Sequence, residues 1–150
     1  MTQLKLDRFL PYRLSIASNR VSAAIATAYE ALFGLTIPQW RLIAVIAESA
    51  GITQQALGRA TQMDKVTVSR AAIALAERGL IDRAANPGDR RSHLLALTAA
   101  GQALYESVAP KALELEARIF GGFDARELGD FTAMLARIEA AAALVMHEGT

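Results

Sequence analysis

Between Arg8 and Phe33 the apolar residues Phe9, Ile16, Val21, Ile25, Ala28 and Leu32 recur with helical spacing, and Gly34 ends the run. The pattern predicts one amphipathic helix of about 25 residues, roughly 38 Å long. That is longer than the core of one small domain can cover, which suggests a scaffold or a subunit contact. Thr36-Ile37-Pro38-Gln39 then reads as a capping box with proline in the first turn, opening a helix with Trp40, Ile43, Ala44 and Ala47 on one face and an end near Gly51.

Thr53 can cap a short helix through Ala60, and Asp64 a second through Arg78, where Gly79 suits a left-handed terminator followed by the apolar Leu80. Only Thr61-Gln62-Met63 separates the two, so they must cross steeply, as in a helix-turn-helix. From Leu80 the period shortens. Leu80–Ala84 and His93–Leu97 read as strands around the turn-rich stretch Asn86-Pro87-Gly88-Asp89-Arg90-Arg91, a hairpin with a basic tip. Thr98 caps a long helix from Ala99 to Phe120, Gly121-Gly122 breaks it, and Asp124 with Glu127 opens a last helix to about Met146. Both carry an apolar side: Leu104, Val108, Leu115 and Ile119, then Leu128, Phe131, Leu135, Ile138 and Ala142.

The predicted fold is mainly α with a small β-hairpin wing. It is a single domain over 1–150, with a winged helix-turn-helix lobe at 36–98 and flanking helices at 8–33 and 99–147. The flanking helices have little lobe left to cover, so the economical arrangement packs them against a second copy in a homodimer.

Composition narrows the class. With 31 Ala and 19 Leu among 150 residues the prior is strongly helical, and 53% hydrophobic residues exclude a disordered chain. The absence of cysteine removes disulfides, thiolate metal sites and thiol redox chemistry. Lys5, Asp7 and Arg8 stand where an export signal needs an apolar core, and no run approaches the roughly 20 apolar residues of a membrane span. The expectation is a soluble cytoplasmic protein with no membrane partner.

The net charge of +1 looks wrong for a nucleic-acid binder, but its distribution does not. Residues 59–100 hold seven basic and four acidic side chains, whereas residues 101–150 hold four and eight. Attraction to DNA acts through the local field, so the lobe counts as basic. In a helix-turn-helix the start of the second helix reaches base edges in the major groove. Lys65, Thr67, Val68, Ser69 and Arg70 would supply cations, hydroxyls and a methyl contact for thymine, while Thr53 and Gln54 at the preceding helix start can hold phosphate oxygens. Thr67 and Ser69 read equally well as solvent-facing helix residues. Arg90 and Arg91 at the hairpin tip could be a solvated charged turn. As a wing they could lay an arginine into the minor groove, with Asp89 holding its guanidinium.

Five strings in order carry a resemblance: Leu35-Thr36-Ile37-Pro38-Gln39-Trp40-Arg41, Met63-Asp64-Lys65-Val66-Thr67-Val68-Ser69-Arg70, Glu77-Arg78-Gly79-Leu80-Ile81-Asp82-Arg83, Asn86-Pro87-Gly88-Asp89-Arg90-Arg91 and Leu97-Thr98-Ala99-Ala100-Gly101. They resemble the multiple-antibiotic-resistance regulator (MarR) family of winged-helix transcription factors. The resemblance implies a homodimeric regulator of double-stranded DNA with a pseudo-palindromic operator, often a repressor released by a small organic effector. It matches Asp89 and Arg91 to the wing's Asp-x-Arg pair and makes Arg91 the minor-groove residue. It also places effectors between the dimerisation helices and the DNA-binding lobe. The family's peroxide-sensing branch uses a cysteine that this chain lacks, so thiol sensing is excluded.

For an effector, Arg13 and Arg20 lie two turns apart on the helix face of Ile16 and Ala17, where a guanidinium must find an anion. That anion could be an aromatic carboxylate or its thioester, with Tyr12 and Trp40 as flat walls. It could instead be Glu106, Glu114 or Glu116 across a subunit contact, or the heads could sit in water. No catalytic constellation, cofactor motif or metal-ligand spacing is found: His93 begins a strand beside the wing, as a phosphate neighbour or a plain hairpin residue, and His147 lies near the C-terminus. The competing readings are a winged-helix dimer serving protein interaction, and a regulator without a small-molecule effector.

Overall fold

The computed structural model describes residues 2–149. After a 3-10 turn at Leu6–Arg8 come α1 (Leu10–Phe33), α2 (Ile37–Ala47), α3 (Gln54–Thr61), α4 (Lys65–Glu77), β1 (Ile81–Ala85), β2 (His93–Leu97), α5 (Ala99–Phe120) and α6 (Ala125–Glu148). This is the mainly helical winged helix-turn-helix expected from the sequence. The backbone forms two compact units, residues 1–112 and 113–150, with α5 beginning in the first and ending in the second.

In the first unit the helix boundaries follow from local chemistry. Gly34 ends α1 at φ 63°, ψ 30°, its N–H reaching the Glu30 and Tyr29 carbonyls. The Thr36–Gln39 capping box forms with both reciprocal hydrogen bonds, 3.2 and 3.1 Å. Thr53 caps α3 by accepting the Ala56 N–H at 3.1 Å. At the end of α4, Gly79 adopts φ 71°, its N–H bonds to the Ala76 carbonyl and that of Leu80 to Leu75, each at 3.0 Å. This Schellman turn satisfies carbonyls the helix leaves open. The hairpin consequently starts one residue later than the pattern predicts, at Ile81, because the Leu80 N–H is taken by the turn.

The core is built around α2. Leu42, Ile43 and Ile46 are buried with Leu57 of α3, Val68, Ala72 and Leu75 of α4, Ile81 of β1 and Leu95 of β2. The helix ends at Ala47, short of the predicted Gly51. Gly51 at φ 132° turns the chain so that Ile52 bridges Leu95 through two backbone bonds of 3.1 and 2.8 Å. This third strand position has no pattern in sequence, since one residue cannot show a period. Strands β1 and β2 pair antiparallel, with Ile81 opposite Leu97 and Ala85 opposite His93.

Thr98 closes the lobe onto α5. Its hydroxyl donates to the Gly79 carbonyl at 2.6 Å and accepts the Gly101 N–H at 3.0 Å, while its own N–H donates to the Leu80 carbonyl at 3.1 Å. Trp40 of α2 lies edge-on to Tyr29 of α1 and stacked on Tyr105 of α5, with ring centroids 5.6 and 5.8 Å apart.

In the second unit, Asp124 and Glu127 form the expected capping box of α6. Phe120, Phe123, Leu128, Phe131 and Leu135 line an apolar groove of about 460 Å³ at the turn between α5 and α6. Helix α6 buries none of its described residues, and Phe131, Met134 and Ile138 form an exposed stripe along it. No single helix among the described residues is long and apolar enough to cross a membrane.

A side chain at Gly101 would drive its Cβ into the Leu80 carbonyl. Gly101→Ala should therefore lower the free energy of unfolding by about 3 kcal/mol, read from the urea midpoint. A loss under about 0.5 kcal/mol would show that the α4–α5 closure tolerates separation.

Candidate nucleic-acid interface

The turn between α3 and α4 passes through Gln62, a non-glycine residue at φ 58°, ψ 24°, whose side-chain amide donates to the Arg59 carbonyl at 2.7 Å. That local bond helps hold a left-handed conformation that costs an L-residue on the order of 1 kcal/mol. Asp64 follows as the cap of α4. One carboxylate oxygen accepts the Thr67 N–H and the other the Thr67 hydroxyl, both at 2.8 Å. These hydrogen bonds to the charged form hold the Asp64 carboxyl below its ordinary pKa.

Helix α4 has two distinct faces. Val68, Ala71, Ala72 and Leu75 are buried, and Lys65, Val66, Arg70 and Ile73 are exposed, with Ser69 half-buried between them. This corrects one of the expected base contacts. Val68 is only 2% exposed and packs inward toward Gly58, so its methyls are unavailable to thymine. The Thr67 hydroxyl donates to Asp64, which leaves its oxygen as an acceptor only. Val66, 57% exposed, takes the outward apolar position instead. Three- and four-residue spacing sets 66, 70 and 73 on a side opposite 68, 72 and 75, but Val66 and Ile73 on one and Val68 and Leu75 on the other leave the buried side undecided.

A groove of about 890 Å³ runs between α3 and α4, lined among others by Gln55, Arg59, Gln62, Lys65 and Ser69. Arg59 is an exposed cation on this groove that no sequence motif marks. Thr53 spends its hydroxyl oxygen on the α3 cap, and Gln54 is half-buried beside it.

The wing is ordered by its own side chains. The Asn86 carboxamide oxygen accepts the Gly88 N–H at 3.1 Å, and its nitrogen donates to the Ser92 hydroxyl at 2.9 Å. Asp89 accepts the backbone N–H of Arg91 at 2.9 Å. The expectation that Asp89 grips a guanidinium is thereby corrected: it shapes the turn, and the exposed Arg90 and Arg91 side chains are left to project.

The residues expected to hold an effector do not form one site within the chain. Tyr12, Arg13, Ala17 and Arg20 are exposed on α1, with Ile16 half-buried. Trp40 packs on Tyr29, which lies sixteen residues beyond Arg13 and so about 24 Å along the helix. Among the described residues, the Arg13 and Arg20 guanidiniums have no hydrogen-bond or ion-pair partner.

The closely linked helix pair, the basic wing and the flanking helices find their counterpart in known proteins. Residues 33–92 match the sequence profile of the MarR family. Transcriptional regulator HosA of Escherichia coli O111:H- is 30% identical over 93 residues, spanning 62% of this chain and 69% of that one. The chain belongs to the MarR family. The MarR-type fold extends beyond the matched lobe. A MarR/EmrR family transcriptional regulator from Acinetobacter sp. ADP1 superposes with a TM-score of 0.87 at 26% identity, covering 94% of this chain and 99% of that one. A probable transcriptional regulator from Pseudomonas aeruginosa gives 0.80 at 32% identity, covering 89% and 99%.

The two faces of α4 separate by substitution. Val68→Ala should destabilise this MarR-family lobe by on the order of 2 kcal/mol, whereas Val66→Ala should leave its thermal melt within about 0.5 kcal/mol of wild type. Equal melting of the two variants would mean that the helix is rotated from the orientation described.

Proposed function

We propose that this MarR-family regulator is a homodimeric, sequence-specific DNA-binding repressor whose grip is released by a small organic effector. The observation that carries the DNA reading is the outward face of α4, with Lys65, Val66, Ser69 and Arg70, next to a wing that leaves Arg90 and Arg91 exposed. Such a lobe reads base edges through the helix start and backbone and minor groove through the wing. A protein of the same fold, a mutant MarR from E. coli, has been solved complexed with operator DNA.

The homodimer reading rests on apolar surface with no cover in one chain. Leu10, Tyr12 and Leu14 are 78%, 40% and 45% exposed on α1, and Phe131, Met134 and Ile138 are exposed on α6. A second copy gives each of these faces a partner. In this reading residues 8–33 and 99–147 are the dimerisation helices of one functional domain. A single-chain mass in sedimentation equilibrium would overturn it. A dimer would also set two recognition helices on half-sites about 34 Å apart, one helical turn of DNA, or a multiple of it.

For the effector we keep an aromatic acid or its thioester, anchored by Arg13 or Arg20. Their guanidiniums have no partner among the described residues, and both suit bidentate capture of a carboxylate. Since Trp40 packs on Tyr29, about 24 Å along α1 from Arg13, a pocket using both Arg13 and Trp40 requires two protomers. CouR from Rhodococcus jostii RHA1, a protein of the same fold, has been solved bound to p-coumaroyl-CoA.

Binding to a promoter fragment tests the roles of individual residues. Arg70→Ala should relax base choice within the half-site at a cost of about 1–3 kcal/mol, while Arg91→Ala should weaken binding mostly where the flanks are A·T-rich. Equal loss on specific and random DNA for Arg70→Ala would refute that division. In calorimetry with a panel of benzoates and cinnamates, Arg13→Ala should weaken the best ligand at least tenfold, about 1.4 kcal/mol. Absence of binding by the whole panel, or an unchanged affinity, would remove the anchor assignment.

A further inference from the structure

A second cavity of the first unit, about 350 Å³ and polar-lined, lies at the foot of the wing, apart from the α3–α4 groove. Arg83 of β1, His93 of β2 and Arg91 of the wing line it, opposite Thr53 and Gln54 at the start of α3, with Asp89 as its carboxylate. Strand pairing brings them together. Arg83 is opposite Leu95 and Ala85 is opposite His93, and residues directly opposite share a face of the hairpin. Arg83 and His93 therefore lie on the side of Leu95, which is buried in the lobe and bridges Ile52, the residue before Thr53.

The charges of this cavity do not cancel. Arg83 and Arg91 have no ion-pair partner among the described residues. Asp89 commits one oxygen to the Arg91 backbone N–H. Two guanidiniums, with an imidazole between strands and wing, face one carboxylate, so the cavity is built for an oxyanion with acceptor oxygens on several sides. The cavity also shares Gln54 and Gln55 with the groove along α4. A polyanion lying in that groove is within reach of the shared residues, which favours a phosphodiester of a continuous strand over a free anion.

We propose that Arg83 and His93, at the foot of the wing beside the minor-groove residue Arg91, form a cradle for one backbone phosphate of duplex DNA, with Arg83 as a phosphate contact in its own right. The proposal rests on the DNA-binding reading above, and it adds a sequence-independent anchor that fixes the wing's register on the duplex.

The test uses the full chain and a fluorescein-labelled mixed-sequence duplex of about 30 base pairs, with anisotropy followed from about 50 to 200 mM NaCl. The wild type should lose affinity steeply with salt. Arg83→Ala should make the log–log slope shallower by about 0.9 for each protomer engaged and weaken binding roughly fivefold at the lowest salt, while Arg83→Lys keeps the slope. A wild-type slope in Arg83→Ala overturns the cradle and leaves the DNA-binding reading standing. A flat wild-type slope overturns both. Inorganic phosphate at about 10 mM, compared with chloride of equal ionic strength, should leave the melting temperature unchanged. A rise that Arg83→Ala abolishes, with no change in the DNA slope, would assign the cradle to a free anion and overturn the proposal.

Discussion

The lobe depends on the packing of one side of α4 against α2 and α3. Val68, Ala71, Ala72 and Leu75 are buried at three- and four-residue spacing, and two of the four are alanines. Small residues let the helix approach α2 closely, and burial on that side leaves the other side to solvent. The orientation of Lys65, Val66, Ser69 and Arg70 is therefore a consequence of the core. An outward surface with almost no apolar burial of its own is held in place by residues that never reach it.

The second constraint is the way the lobe is tied to the helices on either side of it. At the end of α4, Arg78 reaches back to the last carbonyls of α1, with its guanidinium 3.0 Å from the Gly34 oxygen and 3.3 Å from that of Phe33. A cation there satisfies carbonyls that no helical N–H can reach and complements the negative end of the helix dipole. One residue on, Gly79 gives its carbonyl to the Thr98 hydroxyl ahead of α5. The termination of α4 is thus bonded to the end of α1 and to the start of α5. Trp40, between Tyr29 and Tyr105, joins α1, α2 and α5 through their rings. A displacement of α1 or α5 in this unit would act on the end of α4 through these few contacts.

Much of this was legible in the chain because helix limits are local events. Thr36, Thr53, Asp64 and Asp124 each satisfy orphan N–H groups within three residues, and Gly34 and Gly79 take the left-handed turns that other residues resist. The same locality explains the errors. Whether Val68 or Val66 faces outward depends on which side of α4 the rest of the lobe occupies. Asp89 beside two arginines suggests an ion pair by composition, yet the nearest donor in the folded turn is a backbone N–H. Arg83 is one charged strand residue among several until pairing sets it diagonal to His93.

The sequence by itself determined the order and type of the elements, the helix-turn-helix spacing, the basic lobe and the absence of cysteine, because each depends on residue identity or on contacts a few positions apart. The tertiary structure alone decided which face of α4 is outward, that Ile52 adds a third position to the hairpin, that Arg13 and Trp40 are distant, and that Arg83, Arg91 and His93 meet beside α3. These are relations between segments remote in sequence, fixed by burial and strand register, and no local pattern carries them.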